Sequence, residues 1–245
     1  MLPAWLTDTF TPNLDRALHY TLQWGLEGVV LRTVGGPADR VPHVNEARLK
    51  RRLAEHDLPA VAIAPGLFEA EAAERGAWMN DLALLGEAAA FCARIGCPRV
   101  LVGALPGDTG EAADVLRRAG DRAARRGCAL AVCNEAGGRS TGRALADLLA
   151  AVEHPAVRAC WSPAEAEAAG ESAAQGLAAL AGRIEVVLMR DGDRAERAWP
   201  EVLGGLHAAG FDGVLCLELR EAAAAADGLR AATALIHAAR AARRR

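Results

Sequence analysis

The sequence predicts one α/β domain, a single (β/α)8 barrel that spans residues 1–245. Short apolar runs alternate with helical, alanine-rich stretches eight times, which matches the size and the number of βα units of such a barrel. No proline- or serine-rich linker divides the chain, and neither G-x-G-x-x-G nor G-x-x-x-x-G-K-[ST] occurs in it. An open, doubly wound sheet, which alternation alone would also allow, is therefore the less favoured architecture.

The first half supplies four strand–helix pairs. Its apolar runs are typical of strands buried on both faces, as the strands of parallel sheets are. They lie at residues 3–8, 28–33, 59–64 and 99–103. The predicted helices are segments at residues 13–24 and 44–56, a long segment through Trp78, Leu82, Leu85 and Phe91, and a segment at residues 110–126.

The second half continues the same alternation. Its strands are predicted at residues 129–134, 157–161, 184–189 and 213–219. Its helices are predicted at residues 141–153, 164–181, 194–209 and 221–244. Arg240 and Arg243 lie near the end of the last helix, where positive charge suits the negative end of the helix dipole.

Composition and charge exclude several classes of partner. Hydrophobic residues make up 52% of the chain and aromatic residues 4%, so the core depends on Leu, Val and Ala. A net charge of −3 and a pI near 6.1 favour neither nucleic acid nor an anionic membrane. The amino terminus lacks the pattern of a secretory signal, and no apolar run approaches the ~18 residues of a membrane span. Six cysteines without a C-x-x-C pair predict reduced thiols in a cytoplasmic protein.

The candidate site lies at the carboxyl ends of the strands, the barrel mouth, where (β/α)8 barrels carry their working residues. Residues two apart on a strand face the same side, so Glu135 follows Cys133 into the mouth if Cys133 points inward. The same alternation and the loop after the sixth strand supply the rest of the predicted mouth, namely Arg32, Glu165, Arg190, Glu218 and Arg220. Guanidinium groups bind phosphate and carboxylate in bidentate fashion. This rim therefore predicts a small anionic metabolite as the ligand.

Several segments, in order, resemble one superfamily. They include A-L-A-V-C-N-E at residues 129–135, C-W-S-P-A-E at 160–165, V-L-M-R-D-G at 187–192 and G-V-L-C-L-E at 213–218, after residues 25–32 and 53–61. Together they resemble the xylose-isomerase-like TIM barrels, which contain sugar isomerases and epimerases, hydroxypyruvate isomerases and DNA-repair endonucleases. The acidity of the chain and the absence of a histidine-rich set disfavour the endonuclease branch.

The resemblance implies a divalent cation held by four side chains at the ends of the last four strands. The expected Glu of the fifth strand falls on Cys133, the Asp of the sixth on Ser162 and the His of the seventh on Leu188. Only Glu218 on the eighth strand matches its ligand. Since one carboxylate binds a cation weakly, we expect no metal and no other cofactor.

Two functional hypotheses follow. In the first, the protein resembles a sugar isomerase or epimerase whose metal site has diverged. Glu218 and Glu135 would then be its catalytic acid and base, and Arg32, Glu165, Arg190 and Arg220 would bind the substrate. In the second, the arginines and glutamates pair with one another in a non-catalytic barrel that serves as a binding or assembly partner.

Two further features have structural and functional interpretations. Cys133, Cys160 and Cys216 face inward by the same alternation, and as a cluster they could hold a soft metal or a nucleophilic thiol, although buried cysteine usually acts as a small apolar residue. The loop at residues 136–142 could hold an anion at the start of the next helix. Its structural interpretation is a turn with Ser140 or Thr141 as the helix N-cap.

Overall fold

The computed structural model of the protein describes residues 1–36, 38–69, 75–136 and 138–244, and at residues 75–77 the backbone alone. Within these residues, parallel strands pair in chain order and close into a barrel through the pairing of the first strand with the last. The strands are β1 Leu2–Leu6, β2 Gly28–Leu31, β3 Ala60–Ile63, β4 Arg99–Gly103, β5 Ala129–Cys133, β6 Val157–Trp161, β7 Ile184–Arg190 and β8 Val214–Glu218. The predicted (β/α)8 barrel is confirmed.

Helices connect successive strands and cover the outside of the barrel. They are α1 Leu14–Gln23, α2 Glu46–Glu55, α3 Arg75–Ile95, α4 Thr109–Ala124, α5 Gly142–Val152, α6 Pro163–Ala168, α7 Ala173–Leu180, α8 Asp193–Ala208 and α9 Ala225–Ala242. None of the helices in the described part of the chain has the length and apolar character needed to span a bilayer. Most predicted bounds differ from these by one or two residues, which is the usual uncertainty at helix and strand ends.

Two predicted helices are wrong in extent. The helix expected at residues 164–181 is divided into α6 and α7, because Gly170 adopts a left-handed conformation (φ 86°) and Ser172 caps a new helix with Gln175. The last helix begins at Ala225 rather than at residue 221. The amides of Glu221 and Ala222 donate to the Asp191 carboxylate instead, so the chain there is held as a loop.

The first predicted strand is also too long. Residues Thr7–Thr9 form a turn of 3-10 helix directly after β1. This turn bends Asp8 toward β2, where its carboxylate accepts hydrogen bonds from Arg32 and Thr33. The end of β1 thereby contributes an acidic side chain to the rim of the mouth.

The barrel interior is a small apolar cluster separate from the larger core between strands and helices. An eight-stranded barrel is just wide enough for inward side chains to fill it. The buried members are Ala4, Leu6, Val30, Val61, Ala62, Leu101, Ala131, Cys160, Val186, Val214 and Cys216. Cys133 and Leu188 pack on the cluster but are only partly buried, so they form the floor of the mouth.

Candidate functional site

A cavity of about 190 Å³ opens at the carboxyl ends of the strands. All six residues that the sequence analysis assigned to a site line it, namely Arg32, Glu135, Glu165, Arg190, Glu218 and Arg220. Cys133, Ser162 and Leu188 line it as well. The structure therefore brings together candidate residues from the ends of five strands, β2, β5, β6, β7 and β8, and the segments that follow them, while their roles stay predictions.

Glu218 is the most buried carboxylate of the cavity. Its residue is 4% exposed, and its Oε1 accepts hydrogen bonds from Arg220 Nε at 2.9 Å and Nη2 at 2.6 Å. Its Oε2 lies 3.5 Å from Nε of Arg190. At that distance the second contact is an ion pair rather than a well-formed hydrogen bond.

Arg190 bridges two carboxylates. Its Nη2 donates to Glu165 Oε1 at 2.5 Å, and its Nε faces Glu218. Burial lowers the pKa of Arg190, but the hydrogen bond to Glu165 and the charge of Glu218 outweigh burial and raise it. Glu165, Arg190, Glu218 and Arg220 thus form a continuous series, which we call the mouth ion-pair chain. Its arginines carry a permanent positive charge.

Arg32 lines the cavity from the end of β2 and lies outside this chain. Its Nε donates to Asp8 Oδ2 at 2.9 Å, and Thr33 Oγ1 donates to the same oxygen at 3.1 Å. Sequence reasoning did not assign Asp8 to the site. The signal was present, since Asp8 ends the first apolar run, and charged residues at strand ends are the first candidates in a barrel.

Glu135 is positioned by its neighbours in the loop after β5. The buried Asn134 amide accepts from Ser162 N at 2.6 Å and donates to Ser140 O at 2.7 Å, which ties this loop to the end of β6. An added Cβ on Gly103 would come within 2.6 Å of Glu135 Oε1 and 2.2 Å of Phe68 O. The glutamate therefore occupies space that only a glycine at position 103 leaves open.

Asp191 is a second residue to which the sequence assigned no role. It is 3% exposed, and its carboxylate accepts from the backbone amides of Arg220 at 2.6 Å, Glu221 at 3.0 Å and Ala222 at 2.9 Å. Three amides converging on one carboxylate hold the loop after β8 in place. Asp191 thereby orients the backbone of Arg220 toward Glu218.

The residues present do not fit the divalent cation that the resemblance implies. The Ser162 hydroxyl caps α6 by accepting from Glu165 N at 3.4 Å, Leu188 has no donor atom, and both oxygens of Glu218 face arginine. Across the described residues, no group of three or more His, Cys, Asp or Glu side chains is arranged to hold a metal ion. A hard cation prefers several oxygen ligands, and this donor set does not supply them.

Cys133 lines the cavity, Cys160 and Cys216 are buried in the barrel interior below it, and Cys133 is in contact with Cys160. Cys133 and Cys160 are register partners on β5 and β6. Burial, followed by a hydrogen bond with Cys133, raises the pKa of the Cys160 thiol. Burial, followed by the charge of Glu218, raises the pKa of the Cys216 thiol. Since a thiol reacts and binds metal as its thiolate, neither buried cysteine is suited to such chemistry.

The loop before α5 already carries a carboxylate from the protein itself. Thr141 Oγ1 accepts from Ala144 N at 3.0 Å, so Thr141 is the N-cap. The amides of Gly142 and Arg143 donate to Glu171 at 2.6 Å and 2.9 Å. These are the groups that would have held an anion, so the structural interpretation of this loop is the correct one; residue 137 lies outside the described residues.

Comparison with known proteins identifies relatives of the whole barrel. The family model of the xylose isomerase-like TIM barrel matches residues 18–238. An L-ribulose 3-epimerase structure is similar, with a TM-score of 0.84 and 16% identity over 100% of this chain and 96% of that chain. No curated protein matches this chain in sequence.

Two further epimerase structures show the same architecture. The 3-keto-D-glucoside 4-epimerase of E. coli has a TM-score of 0.79 and 14% identity over 97% of this chain and 99% of that chain. D-Psicose 3-epimerase of Clostridium cellulolyticum H10 has a TM-score of 0.80 and 11% identity over 99% of each chain. Similarity at this level of identity shows a shared fold, and function has to be argued from the site.

Proposed function

We propose, because this chain belongs to the xylose isomerase-like TIM barrel family, that its mouth binds a small anionic, carbohydrate-type metabolite and moves a proton on it. The observation that carries the proposal is the convergence of three arginines and the two candidate proton-transfer glutamates, Glu135 and Glu218, on one cavity of about 190 Å³.

Anion binding rests on the two arginines that a ligand can reach from solvent. The Arg220 side chain is 56% exposed and that of Arg32 is 35% exposed. Arg32 pairs with the Asp8 carboxylate and Arg220 with the Glu218 carboxylate. Each guanidinium has further N–H groups that can donate to a ligand. A phosphate or carboxylate bound between Arg32 and Arg220 would satisfy those donors in bidentate fashion.

Proton transfer rests on the two glutamates. One carboxylate would remove a proton from the carbon next to the ligand's carbonyl, and the resulting enediolate would receive a proton back on carbon from the same or the other carboxylic acid. Both oxygens of Glu218 face arginine in the ligand-free structure. An anionic ligand that takes over Arg220 would release Oε1 of Glu218, so the charge of the ligand and the chemistry are coupled.

The second candidate function is a non-catalytic barrel that binds a small molecule or a protein partner. It is favoured by the mouth ion-pair chain, in which each charged group has a partner from the protein itself. Such mutual pairing is also what remains when a site loses its chemistry.

Deuterium exchange distinguishes the two functions. The protein is incubated in D₂O with a panel of ketose phosphates and hydroxy-keto acids, binding is measured by calorimetry, and label at the carbon next to the carbonyl is followed by NMR. We expect binding and exchange, with exchange lost in Glu218→Gln and Glu135→Gln while binding persists.

The matched control is Glu167→Gln, an exposed glutamate paired with Arg194 outside the cavity, which should exchange like the unaltered protein. Binding without exchange would support the non-catalytic barrel. If circular dichroism shows that the protein is folded and no panel member binds, anion binding at this mouth is excluded, both with and without proton transfer.

A further inference from the structure

We infer that Arg190 is a built-in cation: its guanidinium supplies, as part of the chain, the positive charge that stabilises the carboxylates of Glu165 and Glu218 in this mouth without a metal ion. Arg190 and Glu218 are register partners on β7 and β8. The two side chains therefore leave adjacent strands side by side. Leu188, at the position where the resemblance implies a histidine ligand, lies two residues earlier on the same strand.

The contacts of Arg190 resemble the contacts of a bound ion. The guanidinium lies between carboxylates from two separate elements, with Nη2 2.5 Å from Glu165 Oε1 and Nε 3.5 Å from Glu218 Oε2. The side chains of Arg190 and Glu165 are only 25% and 20% exposed. A divalent cation with carboxylate ligands likewise connects carboxylates from separate elements.

The charges of the mouth ion-pair chain balance. Glu165 and Glu218 carry two negative charges, and Arg190 and Arg220 carry two positive charges. A metal ion that entered this group would add two positive charges next to Arg190 and would compete with it for both carboxylates. Like charges a few ångströms apart in a partly buried site repel strongly. Arg190 therefore takes the place of a metal ion and also opposes the binding of one.

Arg190 also keeps its positive charge in this partly buried position. Its pKa is raised by the Glu165 hydrogen bond and the Glu218 charge against the effect of burial, so it stays protonated. Its Nε is buried and has no hydrogen-bond partner among the described residues. The guanidinium therefore makes no well-formed hydrogen bond to Glu218. The attraction between its positive charge and the Glu218 carboxylate compensates for the missing hydrogen bond.

The inference rests on the proposed site, but its test needs no substrate. Mn²⁺ is titrated into the protein by calorimetry and by electron paramagnetic resonance. We expect little Glu218-dependent binding in the unaltered protein. Arg190→Met, which keeps an unbranched apolar stem and removes the charge, should bind Mn²⁺ at least about tenfold more tightly. Arg190→Lys, which keeps the charge, should bind as weakly as the unaltered protein.

Two controls make the result specific. Arg190→Met combined with Glu218→Gln should lose the gained affinity, because the carboxylate is the ligand. Arg194→Met, which removes an arginine that is 78% exposed and pairs with Glu167, should change nothing. Thermal denaturation with and without Mn²⁺ shows that each variant is folded, and Arg190→Met should gain stability from the ion.

Tight Mn²⁺ binding by the unaltered protein that is lost in Glu218→Gln would overturn the inference, as would an Arg190→Met variant that is folded and gains no affinity. These results are separate from the deuterium-exchange experiment. A protein that exchanges protons and also binds metal would refute the built-in cation and leave the proposed function standing.

Discussion

At the scale of single residues, the chemistry of Glu218 is determined by what surrounds it. The sequence identifies it as a carboxylate at the end of the eighth strand, which suits a metal ligand, a base or an ion-pair partner equally well. In the structure it is 4% exposed and faces two arginines. Buried carboxylates need such partners, because an isolated buried charge is costly.

We expect Glu218→Gln to lower the free energy of unfolding by about 1–2 kcal/mol, since the amide leaves Arg190 and Arg220 with one counter-charge fewer. The half-exposed Arg220 keeps the effect moderate, because solvent screens it. Urea denaturation measures the change. The exposed pair Glu167–Arg194 provides the control, and Glu167→Gln should change stability by less than about 0.5 kcal/mol. Equal changes in the two variants would contradict the importance of the ion-pair chain.

The buried thiols predict a dependence of stability on pH. Burial raises the pKa of Cys160 and Cys216 above its ordinary value, and unfolding returns it to about 8.5. Below that pH both states keep the proton and the contribution of the thiols to stability is fully present. Above it the unfolded chain loses protons that the folded state keeps, so stability falls as pH rises toward the folded pKa.

We therefore expect the free energy of unfolding, measured in urea at a series of pH values, to fall from about pH 8.5 upward. The fall should be shallower in Cys160→Ala and Cys216→Ala, although each variant also loses some packing. The slope, rather than the absolute stability, is the quantity compared. Parallel curves for all three proteins would show that these thiols do not titrate in the unfolding transition.

At the scale of secondary-structure elements, the loops after the strands are tied to one another. Asn134 connects the ends of β5 and β6, and Asp191 connects the end of β7 to the loop after β8. The loop after β3 packs closely against Gly103, which has no side chain to prevent it, and the Gly103 amide donates to Leu67 O at 2.8 Å. These contacts position Glu135 and Arg220 through the backbone.

Gly103→Ala should destabilise the protein by about 1–3 kcal/mol, as overpacking does, because the new methyl group would meet Phe68 O at 2.2 Å and Glu135 Oε1 at 2.6 Å. Gly86→Ala in α3 is the matched control, since nothing lies within 4 Å of its added Cβ. It should stabilise the helix by about 0.5–1 kcal/mol. Thermal denaturation of both variants tests this, and similar melting temperatures would rule out the close approach at position 103.

At the scale of the whole molecule, closure of the barrel brings distant parts of the chain to one cavity. Parallel pairing of β1 with β8 closes the sheet, so Arg32 from the end of β2 lines the same cavity as Arg190 and Glu218. The same fold occurs in epimerases at 11–16% identity. The barrel therefore positions these arginines and glutamates around one cavity, and their roles there are proposals.

The sequence by itself determined the number, order and approximate bounds of the strands and which residues follow them. These properties are local, since an apolar run, a helical stretch and the two-residue alternation of a strand are visible without knowing any partner. That is why the six candidate residues could be selected before the fold was known and why all six line one cavity.

Only the tertiary structure decided how those residues pair. Glu165 meets Arg190, Arg32 meets Asp8 and Glu171 caps α5, and each partner lies more than twenty positions away in the chain. Such pairs depend on distances between elements that no local pattern encodes. Because a carboxylate beside a guanidinium differs in chemistry from a carboxylate beside a metal ion, the character of this site follows from the closed barrel rather than from its motifs.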